Sequence, residues 1–335
     1  MKNSLVKSAL LGIFVICALS VSCKKTENPI NYPYGTFPDS VISLSDINSK
    51  YDDYNCNIYQ LYGDFYILFS TNRGSSGGQF DFEQGEVFFT FDQTTGEFKY
   101  NDLISSLAYL DQLINAANTD GNDFGPYSLF STADGYEYLF TASENQDGNL
   151  DFYYFRNYPV YGNSLPNVEG PFPASLLNTS ADDAYICFNL KQDSAYFSSA
   201  ISGDFDIYVK TRPEPEDTPI STWLSGSYSS SAKVDSINST FEDNCPVVYK
   251  HIMLFASNRT GGMGGYDLYY SIFRNGNWSS PVNLGPDINT TADEFRPRLW
   301  LHTDFSNNLL IFSSNREGGK GGFDLYFTGI TLPED

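Results

Sequence analysis

The chemistry open to this chain rests on carboxylates. Asp and Glu number 41 against 19 Lys and Arg, and there are two histidines. The acids gather in short pairs, Asp52-Asp53, Asp182-Asp183, Glu242-Asp243 and Asp293-Glu294, with Asp123 in a stretched counterpart. Two adjacent acids exceed what a turn requires, so this set could bind a cation or the basic segment of a partner. Paired carboxylates facing one another are also what a glycoside hydrolase needs. A catalytic pair should break the pattern of its neighbours, however, and these acids recur in step with the repeat described below. No catalytic residue is assigned. His251 and His302 are too few to support a zinc site or a His-based triad. The stretch Asp147-Gly148-Asn149-Leu150-Asp151 has a hint of calcium-loop spacing, without the distal glutamate that completes such loops. Whether the acids hold a metal is left open.

A second set of residues belongs to turns. Arg73, Arg259 and Arg316 each precede a glycine-rich stretch that ends in an aspartate, Asp81, Asp267 or Asp324, with Asp151 and Asp206 in the weaker copies. Aspartate after a glycine turn satisfies backbone N–H groups, which accounts for its recurrence. Each arginine is expected to pair with a linker carboxylate or the hairpin aspartate. The formal charge of −22 disfavours nucleic acid and anionic membrane surfaces as partners. Cys56, Cys187 and Cys245 share no metal-ligand spacing and are expected as buried small apolar residues.

These residues are positioned by a repeat. MLFASNRTGGMGGYDLYY (253–270) recurs as LIFSSNREGGKGGFDLYF (310–327), each reading as a hairpin with a glycine-rich turn. Weaker copies lie at 67–82, at 138–153 (with Glu144 in the arginine's place) and at 195–208. Phe69, Phe140, Phe197, Phe255 and Phe312 anchor them, at spacings of 71, 57, 58 and 57 residues. An Ile-Asn step leading to the acids alternates with the hairpins: Ile47-Asn48, Ile114-Asn115, Asn178, Ile237-Asn238 and Ile288-Asn289. Four short strands per period give an all-β fold, a five-bladed β-propeller over 37–335, with six blades as the alternative count. The stretch FPDSVISL (37–44) is expected to complete the last blade and close the ring. Residues 102–117 have helical apolar spacing and predict one inserted helix packed on the disc.

The N-terminus reads as a processing signal over 1–22. Small residues before Cys23 resemble a bacterial lipobox, which implies acylation of Cys23, a tether to residue 36 and attachment to the outer membrane through lipid. The phrase SNRxGGxGGxDLY, followed by W-S-x-P-V-N-L-G-x-x-I-N, resembles the WD40-like β-propeller repeats of the TolB type, as found in envelope lipoproteins of Bacteroidetes-like bacteria. The resemblance implies a binding scaffold and no enzyme. On that reading Asp52, Asp53, Asp123, Asp182, Asp183, Glu242, Asp243, Asp293 and Glu294 ring the channel mouth and recognise an envelope protein or glycan. The alternative is a five-bladed-propeller glycoside hydrolase or a carbohydrate-binding lipoprotein.

Overall fold

A computed structural model describes residues 29–61, 64–160 and 164–333. The signal segment and Cys23 lie outside the described residues. Five antiparallel sheets follow one another along the chain, so the count is five blades. Numbered in chain order, their inner strands are Asp53–Leu61, Asp123–Phe130, Asp183–Phe188, Asp243–Tyr249 and Glu294–Trp300. Each inner strand opens on one of the repeated acids.

The ring closes as the sequence predicts. Ile42–Ser43 pairs with the third strand of blade 5, Asp324–Ile330, with Ile42 opposite Phe327 and Ser43 opposite Tyr326. Around this seam Leu44 N–H donates to the Leu325 carbonyl, and Phe37 stacks on Phe305 at 3.9 Å. The strand pairing thus joins the first and last segments of the propeller and covers the strand edge at Phe327.

Apolar faces meet between blades. Ile67 and Phe69 of blade 1 pack with Leu309 and Ile311 of blade 5, and Leu68 of blade 1 packs with Leu139 of blade 2. The helix is shorter than predicted, Ala108–Ala117, because Phe98–Ile104 is the outer strand of blade 1 and takes Asp102 and Leu103 into the sheet. It buries Tyr109, Leu110, Leu113 and Ala117 over the seam between blades 1 and 2. A second short helix, Ile220–Leu224, was not anticipated and buries Trp223 and Leu224.

Register corrects two alignments in blade 2. Asp123 stands opposite Ser143 there, as Asp53 stands opposite Thr71 in blade 1. Counting from that pair, Thr141 takes the place of Phe69, and Asn145, not Glu144, takes the place of Arg73. Phe140 accordingly faces blade 3 and meets Phe188, whereas Phe197 faces back toward blade 2 and meets Phe152. A slip of one residue flips a strand's faces, and an aromatic match alone does not reveal it.

Candidate functional site

The site is built from one device used five times. In each linker a Ser or Thr donates its backbone N–H to the acid four residues on. Ser49 meets Asp53, Thr119 meets Asp123, Thr179 meets Asp183, Ser239 meets Asp243 and Thr290 meets Glu294, all within 2.5–2.7 Å. The asparagine just before brackets the backbone of the preceding blade, accepting from one N–H and donating to the same residue's carbonyl. Asn48 does this to Leu325, Asn178 to Phe152, Asn238 to Ile207 and Asn289 to Leu268. In the stretched linker Asn118 does it to Phe82, so Ala117-Asn118 fills the position predicted for Ile114-Asn115. The helix carries the true motif in its last turn, which displaced the alignment by three residues.

The five inner acids are buried, but they differ in their partners. Arg73 pairs with Asp53 at 2.5 Å, Arg259 pairs with Asp243, and Arg316 pairs with Glu294 at 3.0 Å. Each arginine also donates to the linker carbonyl of Ile47, Ile237 or Ile288 and lies over the anchoring Phe69, Phe255 or Phe312. The expected arginine–carboxylate clamp is present in these three blades. Asn145 and Ile201 stand in its place in blades 2 and 3, two residues past the strand partners of Asp123 and Asp183. Burial without a counter-ion pushes the Asp123 and Asp183 carboxyls up to about 6.

Asp52, Asp182 and Asp293 join neighbouring blades, while Glu242 bonds within blade 4. Asp52 accepts the Phe323 N–H at 2.8 Å, Asp182 that of Leu150 at 2.8 Å and Asp293 that of Tyr266 at 2.8 Å, while Glu242 accepts from the Tyr266 hydroxyl. In blade 2 the roles are exchanged. Asn122 holds the Phe80 N–H, and Glu144 supplies the charge that Asp52 and Asp293 supply elsewhere. The glycine turns press directly on these linkers. A Cβ on Gly264 would come within 2.1 Å of the Ala292 carbonyl, and one on Gly321 within 1.8 Å of the Tyr51 carbonyl. Asp267 caps its turn by accepting the Met263 N–H at 2.6 Å, and Asp324 accepts those of Lys320 and Gly321. Asp81, Asp151 and Asp206 are held instead by Gln79, Asn145 and Ser202. All nine rim acids therefore lie on one face and carry protein hydrogen bonds. Among the described residues no three His, Cys, Asp or Glu side chains gather as metal ligands would.

Aromatics at two repeated positions form a collar over the channel. One follows the inner acid in three blades (Tyr54, Phe124, Phe295) and the other precedes the hairpin aspartate in four (Phe80, Phe205, Tyr266, Phe323); all are half-buried. Tyr54 meets Phe80 at 5.2 Å, Phe124 at 5.8 Å and Phe323 at 5.6 Å, and Phe295 meets Tyr266 at 5.0 Å. The first position is Ala184 in blade 3 and Asn244 in blade 4, and the second is Leu150 in blade 2, which leaves the collar thinner there. Sequence reading missed the collar, although the aromatics adjoin the very acids that it singled out.

Below the collar every inner strand carries the same bulge. The register shifts between Tyr54 and Asn57, Phe124 and Tyr127, Ala184 and Cys187, Asn244 and Val247, and Phe295 and Arg298. Its first residue is left-handed in all five blades: Asn55, Gly125, Tyr185, Cys245 and Arg296 have φ of 60, 59, 60, 56 and 50°. Such bulges re-aim side chains. Here they face the channel. Cys56, Cys187 and Cys245 are buried and free, as expected.

No family model and no curated protein matches the chain. Solved structures do. An endo-arabinase from Bacteroides thetaiotaomicron superposes with a TM-score of 0.53 at 13% identity, over 89% of this chain and 99% of that one. A GH43B protein of a xyloglucan PUL from Bacteroides ovatus gives 0.52 at 13% identity, over 88% and 55%. These likenesses establish a five-bladed propeller and correct two expectations. The resemblance to WD40-like repeats of the TolB type gives way, because these two solved structures are five-bladed glycoside hydrolases. The shared phrase is accounted for by the clamp, the tight glycine contacts and the aspartate cap that a blade of this design needs. The expectation of a scaffold without bond chemistry gives way for the same reason: solved proteins sharing this fold are hydrolytic enzymes.

Proposed function

We propose that the chain is a five-bladed-propeller glycoside hydrolase acting on an arabinose-containing polysaccharide at the collared mouth of its channel. The observation that carries this reading is the collar, set in a fold whose solved counterpart is an endo-arabinase. Half-buried aromatics offer sugar rings flat apolar faces, while nearby polar groups fix orientation. Glycosidic cleavage needs a carboxyl that is protonated near neutral pH. The Asp123 and Asp183 carboxyls, pushed up to about 6, hold their protons only below that pH and are wholly buried, so neither is assigned as the catalytic acid.

The test is incubation of the full chain with arabinan, xyloglucan and galactan, following reducing ends and retention in polysaccharide gels. Reducing ends from arabinan are expected. Phe124→Ala and Phe295→Ala should raise KM several-fold, against a modest fall in melting temperature from the lost ring contacts. Retention without cleavage on all three polymers would overturn the hydrolytic assignment. We propose also that an acyl anchor on Cys23 holds the propeller at the outer membrane. Labelling with a palmitate analogue should be lost in Cys23→Ser.

A further inference from the structure

Two guanidinium groups sit on the propeller axis. Arg296 is wholly buried and Arg298 is 8% exposed. Both belong to blade 5, yet both reach blades that do not adjoin it, so their side chains cross the channel. Arg296 donates from Nη2 to the carbonyls of Pro126 (3.2 Å) and Gly125 (3.4 Å) in blade 2, and lies over the Tyr185 ring of blade 3 at 5.2 Å. Arg298 donates from Nη2 to Asn57 Oδ1 of blade 1 at 2.6 Å and lies over the Tyr127 ring of blade 2 at 5.1 Å.

Neither charge is neutralised by the protein. Among the described residues no carboxylate forms an ion pair with either arginine, unlike Arg73, Arg259 and Arg316 at the rim. Nε and Nη1 of both arginines are buried without an acceptor. The three thiols nearby are not counter-ions, since burial pushes Cys56 and Cys187 up to about 11 and Cys245 higher still. Burial and the neighbouring Arg296 charge both lower the pKa of Arg298. Two like charges held together with four donor nitrogens unused cost far more than isolated polar groups unless something negative joins them.

We propose that the channel binds a small inorganic anion of the halide class between Arg296 and Arg298, as a built-in strut joining blade 5 to the far side of the ring. A compact anion suits the place better than a carboxylate. The free Nε and Nη1 of one guanidinium do not share the edge that carboxylates bridge, and aromatic rings cover both planes.

Crystals of the full chain grown in bromide should show an anomalous peak between the two guanidinium groups. Titrating bromide into the chain in gluconate, at constant ionic strength, should raise its melting temperature by about 2–4 °C along a saturating curve. Arg298→Met should remove the saturating part. An anomalous map with peaks on the outer surface only overturns the proposal, as does a saturating rise that survives in Arg298→Met. Should that variant fail to fold, the map of the unaltered chain decides alone.

Discussion

Blades 1, 4 and 5 differ from blades 2 and 3 in the side chain set against the inner acid. All five place an acid at the head of the inner strand, all cap it with a Ser or Thr N–H, and all bracket the preceding blade with an asparagine. Only the first group sets an arginine against that acid. Backbone geometry is therefore sufficient to place the carboxylate. The arginine decides whether it has a counter-ion, and with it whether the site is a strut or a proton-holding group.

The largest expected effect removes the clamp. Arg259→Ala leaves Asp243 buried and unpaired, and stability should fall by about 3–5 kcal/mol in denaturant unfolding. Asn145→Ala in blade 2 should show no comparable electrostatic loss, and an equal fall would dissolve the distinction between the two groups. Next in size is the asparagine bracket. Asn238→Ala and Asn178→Ala each orphan a backbone N–H and carbonyl, costing about 3 kcal/mol. Equal losses in blades 3 and 4, with and without a clamp, would show that the bracket works independently of charge.

The smallest effect carries the opposite sign. The Asp123 and Asp183 carboxyls titrate near 6 in the folded chain, above the ordinary value of about 4 in the unfolded one. The native state thus binds their protons more tightly, and their contribution to stability falls as pH rises from about 4 through about 6, then levels off. Asp123→Asn should gain about 2 kcal/mol at pH 7 over wild type, a gain that vanishes below pH 4. The same change at Asp243, whose partner is Arg259, should destabilise at neutral pH. A matching gain there would break the comparison.

Much of the blade was legible because its constraints are local. The turn from Arg259 to Asp267 announces glycine contacts, a cap and an ion pair within a few residues, and blade count and ring closure followed from its spacing. Blade 2 misled where local pattern and register parted: Phe140 imitates Phe69 in type but faces the other way, and Asn115 imitates Asn48 while Asn118 does its work. The channel was illegible for another reason. Arg296 and Arg298 meet Tyr185, Pro126 and Asn57 across more than a hundred residues of chain, and nothing near them in sequence names those partners. The collar lay between these cases, as its aromatics flank the acids but are joined to each other only when the ring is closed.

That closure has a consequence for synthesis. Ile42 is among the first propeller residues to be made, and its strand partner Phe327 is among the last. A growing chain must keep its leading segment unpaired until nearly the whole propeller has been made, with four blades already able to form behind it. Loss of that segment by a stray proteolytic cut would leave the strand at Phe327 as an open template, inviting another copy to dock in its place.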